Sequence, residues 1–434
     1  MVKRTTFIAT GDAFITRRLP EGGYDGFEEI RNIIRAHDVK FSNLEMTFHY
    51  QEGYPAAFSG GTWAMADPCT LDDMKSFGFN LYNTANNHSA DYSHGGILAT
   101  INYLKQKGML FSGTGRNLSE ASKPCYLETK TARIALVSAS SSFHESAMAG
   151  GQSADMQGRP GLNPLRFQKT YYVDEVHYGM VKSLAATTKM NASREYSIKN
   201  GYSSPFPEGT MPLGDSMFVL AEQNRIESSP NETDMARIEE EIKEAKRQAD
   251  IVLVSLHAHE TDTEDTTAPA QFIQKSARRC IEAGASAIIG HGPHELRGIE
   301  FYGRGVIFYS LGNFLFETET VELQPYDAYL NKRMSLDTKV GAYMNSRSKN
   351  GTAGYGVLEN IWRSVMAAWT MEDGKIVQIQ LYPISLGMEA PRSQKGIPCL
   401  AHNEQVLEYL QGLCRPYNTN IYIKNNIGYI DCQP

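Results

Sequence analysis

Short apolar runs alternate with amphipathic helical segments over the first 320 residues, and this alternation limits the folds that the chain can adopt. The runs predict strands, and apolar residues spaced three and four apart between them predict helices. Strands joined by helices favour a layered α/β fold with helices on the outer faces of the sheet. The predicted strands are 6–10, 39–44, 81–84, 133–138, 251–256, 287–289 and 306–311, and the predicted helices are 27–36, 71–77, 96–107, 234–248 (with Asp234 as its cap) and 272–283.

Two segments interrupt this alternation. Residues 150–232 are rich in Gly, Ser, Pro and Tyr, which predicts an irregular insertion that could serve as a lid. Residues 321–356 form a second irregular segment, followed by a hairpin around Asp373-Gly374 and a helix over 403–413. We therefore expect an α/β core over 1–320 and a C-terminal segment over 321–434 whose hairpin and helix pack on that core.

Charge and cysteine content exclude several classes of protein. The net charge of −7 argues against nucleic-acid binding, which requires a basic face. The six cysteines form no CxxC pair, so we expect reduced thiols and no zinc ribbon. The N-terminal sequence resembles no signal peptide, and no stretch is long and apolar enough for a membrane span. These features predict a soluble, cytoplasmic protein.

Polar residues follow five of the predicted strands at the point where each strand ends. In open α/β sheets ligands bind at the carboxyl ends of strands, so these residues are expected to meet at one edge. Carboxylate, imidazole and amide ligands together suit Zn²⁺, Mn²⁺ or Fe better than Ca²⁺. Each residue alone is typical of a turn, but their combined order predicts a site for one or two divalent ions. They are Asp12, Glu45, Asn87 with His88, His257, and His291 with His294.

Around these residues the chain resembles a known family, the bacterial capsule-synthesis proteins of the CapA type, also called the poly-γ-glutamate capsule family. That family is similar to the calcineurin-like metallophosphoesterases, so the resemblance implies their α/β sandwich fold. It covers most of the chain. The matching motifs are GDAFITR (11–17), SNLE (42–45), ANNHSADYSHGG (85–96), GTGRN (113–117), LHAHE (256–260), AGASAIIGHGPHELRGIE (283–300), YSLGNFLFE (309–317) and YPISL (382–386).

The resemblance also implies a role for each residue of the predicted site. His88 would act as general acid or as a donor to the substrate, and Asp91 would orient its ring. The metal ligands would be Asp12 and His294 at one ion, Asn87, His257 and His291 at the other, and Glu45 between them.

The chain departs from the family pattern at three positions. Phe14 stands where related enzymes carry the histidine of an Asp-x-His motif, which implies one ligand fewer at one metal. His259 replaces a residue of the usual His-Trp-Gly-x-Glu motif, and it is an extra metal ligand, a substrate contact or a side chain on the opposite face. Ser93 stands where the family prefers Gly.

Four other residues are candidates for substrate binding. Arg17 and Arg116 are suited to bind a carboxylate or phosphate bidentately, and surface ion pairs are the alternative. His144 follows the predicted strand 133–138 and is either a substrate contact or part of a polar loop. Asn313 follows the strand 306–311 and either caps a turn or reaches the substrate.

Three functions are compatible with these residues. The first is a metal-dependent hydrolase of a phosphoester or of an amide or γ-glutamyl bond, with a metal-bound hydroxide as nucleophile. The second is a metal-dependent peptide epimerase that removes an α-proton, with His88 and either His144 or His259 as acid and base. The third is a non-catalytic factor that binds or assembles capsule polymer. The substrate would be a peptide, a polymer or a small phosphoester.

Overall fold

The computed structural model describes residues 3–432, and two β-sheets form its centre. The outermost residues of both predicted domains, 1–2 and 433–434, lie outside this description. The first sheet has 10 strands, of which Arg4–Phe14 is central. It pairs in parallel with Val39–Leu44 and Asn313–Phe316, and antiparallel with Arg363–Glu372. The other strands are Leu81–Asn83, Phe111–Ser112, Lys375–Ser385, Cys399–Leu400, Ile421–Lys424 and Ile427–Ile430.

The second sheet has six strands and is mostly parallel in its middle. Ile251–His257 lies between Arg133–Ser140 and Ala287–His291, and both pairings are parallel. The sheet continues from Ala287–His291 through Gly305–Leu311 to Leu296–Tyr302, and on the other side it ends at Cys125–Glu128.

The two sheets pack face to face, with helices covering their outer faces. Phe7 and Trp369 of the first sheet stack at 4.9 Å, and Trp369 also lies 5.5 Å from Phe308 of the second sheet. Burying an aromatic or aliphatic side chain of this size contributes about 1.5–3 kcal/mol. The helices that carry core residues on the outer faces include Phe27–Arg35, Thr70–Ser76 and Ser93–Gln106 on the first sheet, and Glu232–Gln248 and Gln271–Ala283 on the second. The predicted layered α/β sandwich is therefore confirmed.

Several other helices complete the structure. The α-helices are Leu118–Ser122, Glu175–Thr188, Ala192–Lys199, Tyr326–Asn331, Val340–Arg347 and Gln405–Cys414, and the 3₁₀ helices are Glu145–Ala147, Thr318–Thr320, Gly354–Val357, Glu359–Trp362 and Arg415–Tyr417. Within residues 3–432, no helix combines the length and the apolar composition that a membrane crossing requires.

The segment 150–232 contains more regular structure than its composition predicts. Its strands Phe167–Val173, Thr210–Leu213, Ser216–Leu220 and Arg225–Pro230 form a four-stranded sheet. Asn231, and not Asp234, caps the following helix by accepting a hydrogen bond from the backbone N–H of Asp234. The Asp234 carboxylate instead pairs with Arg166 and Arg237.

The C-terminal segment is part of the first sheet rather than a separate layer on the core. Its hairpin turns at Asp373 and Gly374, whose φ values of 46° and 81° fit a type I′ turn. Strand Arg363–Glu372 of this hairpin pairs directly with Arg4–Phe14. The strand that ends at Phe14 therefore depends on residues from both ends of the chain.

Candidate metal centre

The carboxyl ends of the parallel strands from both sheets converge on one buried cluster of side chains. Asp12 lies in Arg4–Phe14, just past a shift in register, and is opposite Asn43 of the neighbouring strand. His257 and His291 are paired residues at the ends of adjacent strands in the second sheet. Because both sheets contribute, the cluster bridges the two halves of the sandwich.

Asp12 is fully buried and held by two hydrogen bonds. Its Oδ1 accepts from Asn43 Nδ2 at 2.7 Å, and its Oδ2 accepts from the backbone N–H of Gly292 at 3.0 Å. Burial outweighs these stabilising contacts and raises the pKa of Asp12 to about 7. The carboxylate form therefore lacks a counter-charge in the metal-free protein.

Glu45 is the least satisfied polar side chain of the cluster. It is fully buried, and neither carboxylate oxygen has a hydrogen-bond partner among residues 3–432. Its Oε1 lies 3.7 Å from His257 Nε2 and 3.8 Å from His294 Nε2. Burial, with added repulsion from Asp12 and Asp91, raises the pKa of Glu45 well above its usual value. A cation bound beside this carboxyl group would offset the cost of burying its charged form.

The imidazoles of the cluster face these carboxylates as neutral bases. Burial lowers the pKa of His257 well below its usual value, and it lowers the pKa of His291 to about 3 and that of His294 to about 4. Neutral imidazole is the form that binds metal ions. The same side chains form three overlapping sets of potential ligands: Asp12, His257 and His291; Glu45, His257 and His259; and Asp12, Glu45 and His294.

His257 is at the centre of the imidazole contacts. Its Nε2 lies 2.9 Å from Asn87 Oδ1, and Asn87 is oriented by donating its Nδ2 to the carbonyl of Gly60 at 2.8 Å. Its Nδ1 lies 2.9 Å from His291 Nδ1. His291 Nδ1 is also 3.5 Å from Asp12 Oδ1, so His291 borders both the Asp12 side and the His257 side of the cluster.

His294 is held in an unusual backbone conformation. Its φ is 61°, a left-handed value that costs free energy for a residue with a side chain and is typical of functional sites. Its Nδ1 contacts Asn313 Oδ1 at 2.8 Å, while Asn313 Nδ2 donates to the carbonyls of His294 and Ile361. Asn313, which is expected either to cap a turn or to reach the substrate, has both polar atoms of its side chain engaged inside the protein and holds the His294 ring.

His88 and Asp91 form a close pair beside the cluster. His88 Nδ1 lies 2.6 Å from Asp91 Oδ2, and both residues are buried. Asp91 also accepts from the backbone N–H groups of Gly60 and Ala64, each at 2.8 Å. A carboxylate anchored in this way keeps the proton of the imidazole on Nδ1 and fixes the ring.

The other residues predicted for substrate binding are more dispersed. Arg17 pairs with the buried Glu317 at 3.3 Å, and exposed Arg116 pairs with Glu120 of the short helix Leu118–Ser122. The ion-pair alternative thus describes the contacts of both arginines. His144 is exposed and stacks on Phe58 at 4.2 Å, close to the loop of Gly60. His259 joins the metal-ligand cluster.

The structure reveals participants that the sequence did not single out. Asn43 connects Asp12 to the loop of Asn86, and Ser255 Oγ lies 2.6 Å from His291 Nε2. Tyr355, from the irregular segment 321–356, lies 5.6 Å from the His294 ring. Arg297 is fully buried and donates to backbone carbonyls of the loop after His257. The other site residues could be predicted because each follows the end of a strand. Ser255 and Arg297 instead lie within strands and Tyr355 lies in a 3₁₀ helix, so none of these three carries that signal.

Comparison with known proteins gives both a family and relatives. The family model described as bacterial capsule synthesis protein PGA_cap matches residues 6–318. Protein y4sH of Sinorhizobium fredii is 33% identical over 98% of this chain and 92% of its own length. The PGA biosynthesis protein CapA of Bacillus subtilis is 25% identical over 81% of this chain and 74% of its own length.

Two further similarities are more partial. The capsule biosynthesis protein CapA of Bacillus anthracis is 25% identical over 57% of this chain and 43% of its own length. A solved structure of a candidate 5′-nucleotidase from Staphylococcus aureus, in complex with alpha-ketoglutarate, aligns with a TM-score of 0.37 and 9% identity over 94% of this chain and 59% of that one. A structural similarity this low carries no argument about function.

Proposed function

The chain belongs to the bacterial capsule synthesis protein PGA_cap family, and on that premise we propose that it is a metal-dependent hydrolase of a phosphoester or of an amide or γ-glutamyl bond. The observation that carries this proposal is Glu45, a buried carboxylate whose two oxygens lack hydrogen-bond partners among the described residues and face neutral imidazoles. Such a group fits a metal ligand and fits no ordinary structural role.

The donor set fits one or two ions of Mn²⁺, Zn²⁺ or Fe. Bound ions of this kind activate water and stabilise negative charge that develops on the substrate. Asp12 and His294 would hold one ion and Asn87 and His257 the other, while His291 borders both positions and Glu45 would reach both. Asn43 and Asn313 would fix the orientation of Asp12 and His294, respectively, through the hydrogen bonds described above.

His88 would move the proton in this reaction. Its Nδ1 stays engaged with Asp91, so Nε2 is the ring nitrogen left to donate to the substrate or to its leaving group. Asp91 acts through His88 and is a positioning residue. This division of roles predicts that loss of His88 slows the reaction without removing the metal.

The names of the relatives suggest the class of substrate. The Bacillus proteins are described as PGA and capsule biosynthesis proteins, so a glutamyl polymer or a peptide related to one is the first substrate to test. A small phosphoester is the second. The insertion 150–232, with its own four-stranded sheet, is the segment that we propose shapes access to the site as a lid.

The direct test is a hydrolysis assay on chelator-treated protein that has been reloaded with Mn²⁺ or Zn²⁺. An aryl phosphate ester and a γ-glutamyl peptide would be offered separately in ¹⁸O-labelled water, beside the Asp12→Asn variant and the exposed-site control His402→Ala. We expect metal-dependent cleavage with ¹⁸O in the product, loss of cleavage in Asp12→Asn, and no change in His402→Ala.

Repeating the assay in D₂O separates the other two functions. Deuterium incorporated from solvent at the α-carbon without cleavage would identify the epimerase and contradict the hydrolase. Metal binding without turnover of either substrate would favour a binding or assembly factor.

A further inference from the structure

We propose that His259 is a ligand of the metal position beside Asn87 and His257. This inference rests on the proposed metal-dependent function but concerns a residue outside its ligand set. His259 Nε2 lies 3.1 Å from His257 Nε2. Both nitrogens also lie within 4.8 Å of a Glu45 carboxylate oxygen.

The spacing of these atoms matches ligands of a single ion. Two nitrogens bound to one Zn²⁺ at about 2.1 Å, in tetrahedral or octahedral directions, lie about 3.0–3.4 Å apart. The nitrogens of His257 and His259 fall in this range, and Asn87 Oδ1 lies 2.9 Å from His257 Nε2 on the same side. Asn87, His257, His259 and Glu45 therefore offer four donor atoms to this position, the number that a tetrahedral zinc site requires.

The backbone of His259 is fixed on both sides, as a metal ligand requires. Its N–H donates to Ser142 Oγ at 2.8 Å. Its carbonyl accepts from Arg297 Nη2 at 3.0 Å, and Arg297 also donates to the carbonyls of Ala258 and Glu260 at 3.4 and 3.3 Å. A fully buried arginine that binds three consecutive carbonyls holds this turn in one conformation.

The ring of His259 faces the cluster rather than the opposite side of the turn. It lies 5.0 Å from the ring of His257 and 5.4 Å from that of His294. Its Nε2 is therefore directed toward the other proposed ligands of this position.

The test measures metal binding rather than turnover. Chelator-treated parent, His259→Ala, His259→Gln, His257→Ala and the control His402→Ala would be titrated with Zn²⁺ against a chromophoric chelator and with Co²⁺ while visible absorption is followed. We expect both His259 variants to bind the second ion at least about 10–100-fold more weakly, since that range is already typical when a residue that only orients a ligand is lost. We also expect them to alter the Co²⁺ spectrum. Their metal-free melting temperatures should match that of the parent.

Two results would overturn the inference. Unchanged affinity and an unchanged Co²⁺ spectrum in both His259 variants, with metal lost in His257→Ala, would show that His259 is no ligand while the proposed function stands. Weaker binding together with a lower metal-free melting temperature in both His259 variants would assign it a structural role. Full metal binding in His257→Ala as well would instead contradict the proposed function itself.

Discussion

Replacing Glu45 by leucine should stabilise the metal-free protein and weaken the metal-loaded one. Both Glu45 oxygens are buried without hydrogen-bond partners in residues 3–432. The nearest imidazole nitrogens, at 3.7 and 3.8 Å, are beyond hydrogen-bonding distance, so the substitution deprives no partner of a bond. An unsatisfied buried polar atom costs about 1–3 kcal/mol, so removing two should raise the free energy of unfolding by about 2 kcal/mol or more.

The assay compares melting temperatures of the parent and Glu45→Leu in chelator and in saturating Mn²⁺. For a chain of 434 residues we expect the variant to melt roughly 2–4 °C higher in chelator. Metal at about 100 times its dissociation constant adds about 2.7 kcal/mol to the parent, and the variant without the shared carboxylate should gain less. The difference between the two melting temperatures should therefore narrow when metal is added, and it should reverse if the variant gains less than about 0.7 kcal/mol.

Glu317 provides a matched control, because it is equally buried but satisfied. Its oxygens accept from the Thr16 backbone at 2.9 Å and from Arg17 at 3.3 Å. Glu317→Leu should lower the free energy of unfolding by about 1–3 kcal/mol, with or without metal. If Glu45→Leu also melts below the parent in chelator, Glu45 is satisfied without metal and the reasoning is refuted.

Three further predictions concern the same site. His88→Ala should lower kcat by about 10²–10⁴-fold, while elemental analysis should show an unchanged metal content. Asp91→Asn should lower kcat less. Loss of metal in His88→Ala would contradict the role of His88 as proton donor. Asp12 has a pKa of about 7 instead of 3.8, so between these pH values it holds a proton that an incoming ion must displace. Metal affinity should therefore fall at least tenfold per pH unit below 7, and more steeply where Glu45 also releases a proton. Calorimetry in buffers of different ionisation enthalpy measures this, and a flat profile would refute it. Arg297→Lys keeps the charge but loses the planar fork that binds three carbonyls. Chelator competition should therefore show that this variant binds metal roughly tenfold or more weakly, while the metal affinity of the control His402→Ala is unchanged.

The parts of the fold with clear periodicity could be predicted from sequence. The strand 39–44 has the same bounds in the structure, and the hairpin around Asp373-Gly374 was indicated by its turn residues. The strand Leu296–Tyr302 and the hairpin at Asn425-Asn426 were missed. Leu296–Tyr302 mixes Arg, Gly and Glu with apolar residues. This polar content, which includes the buried Arg297, hides the strand in the sequence.

The site could be predicted as a set of strand-end residues but not as a geometry. Asp12, Glu45, His257 and His291 do meet, because parallel strands bring their carboxyl ends to one edge. The sequence leaves two alternatives open for Asn313 and two for Arg116. The structure is needed to choose between them, because the choice depends on a partner distant in sequence or on how exposed the side chain is. The position of His259 also depends on Ser142 and Arg297, which lie 117 and 38 residues away.

The most direct test of the metal site is an anomalous difference map from crystals grown with Mn²⁺ or Zn²⁺. The account predicts two peaks about 3.5–4 Å apart, one beside Asp12 and His294, the other beside Asn87 and His257, with Glu45 between them. A map without a peak in this cluster, from crystals in which the ion is present at saturating concentration, would contradict the proposal that the protein acts through bound metal.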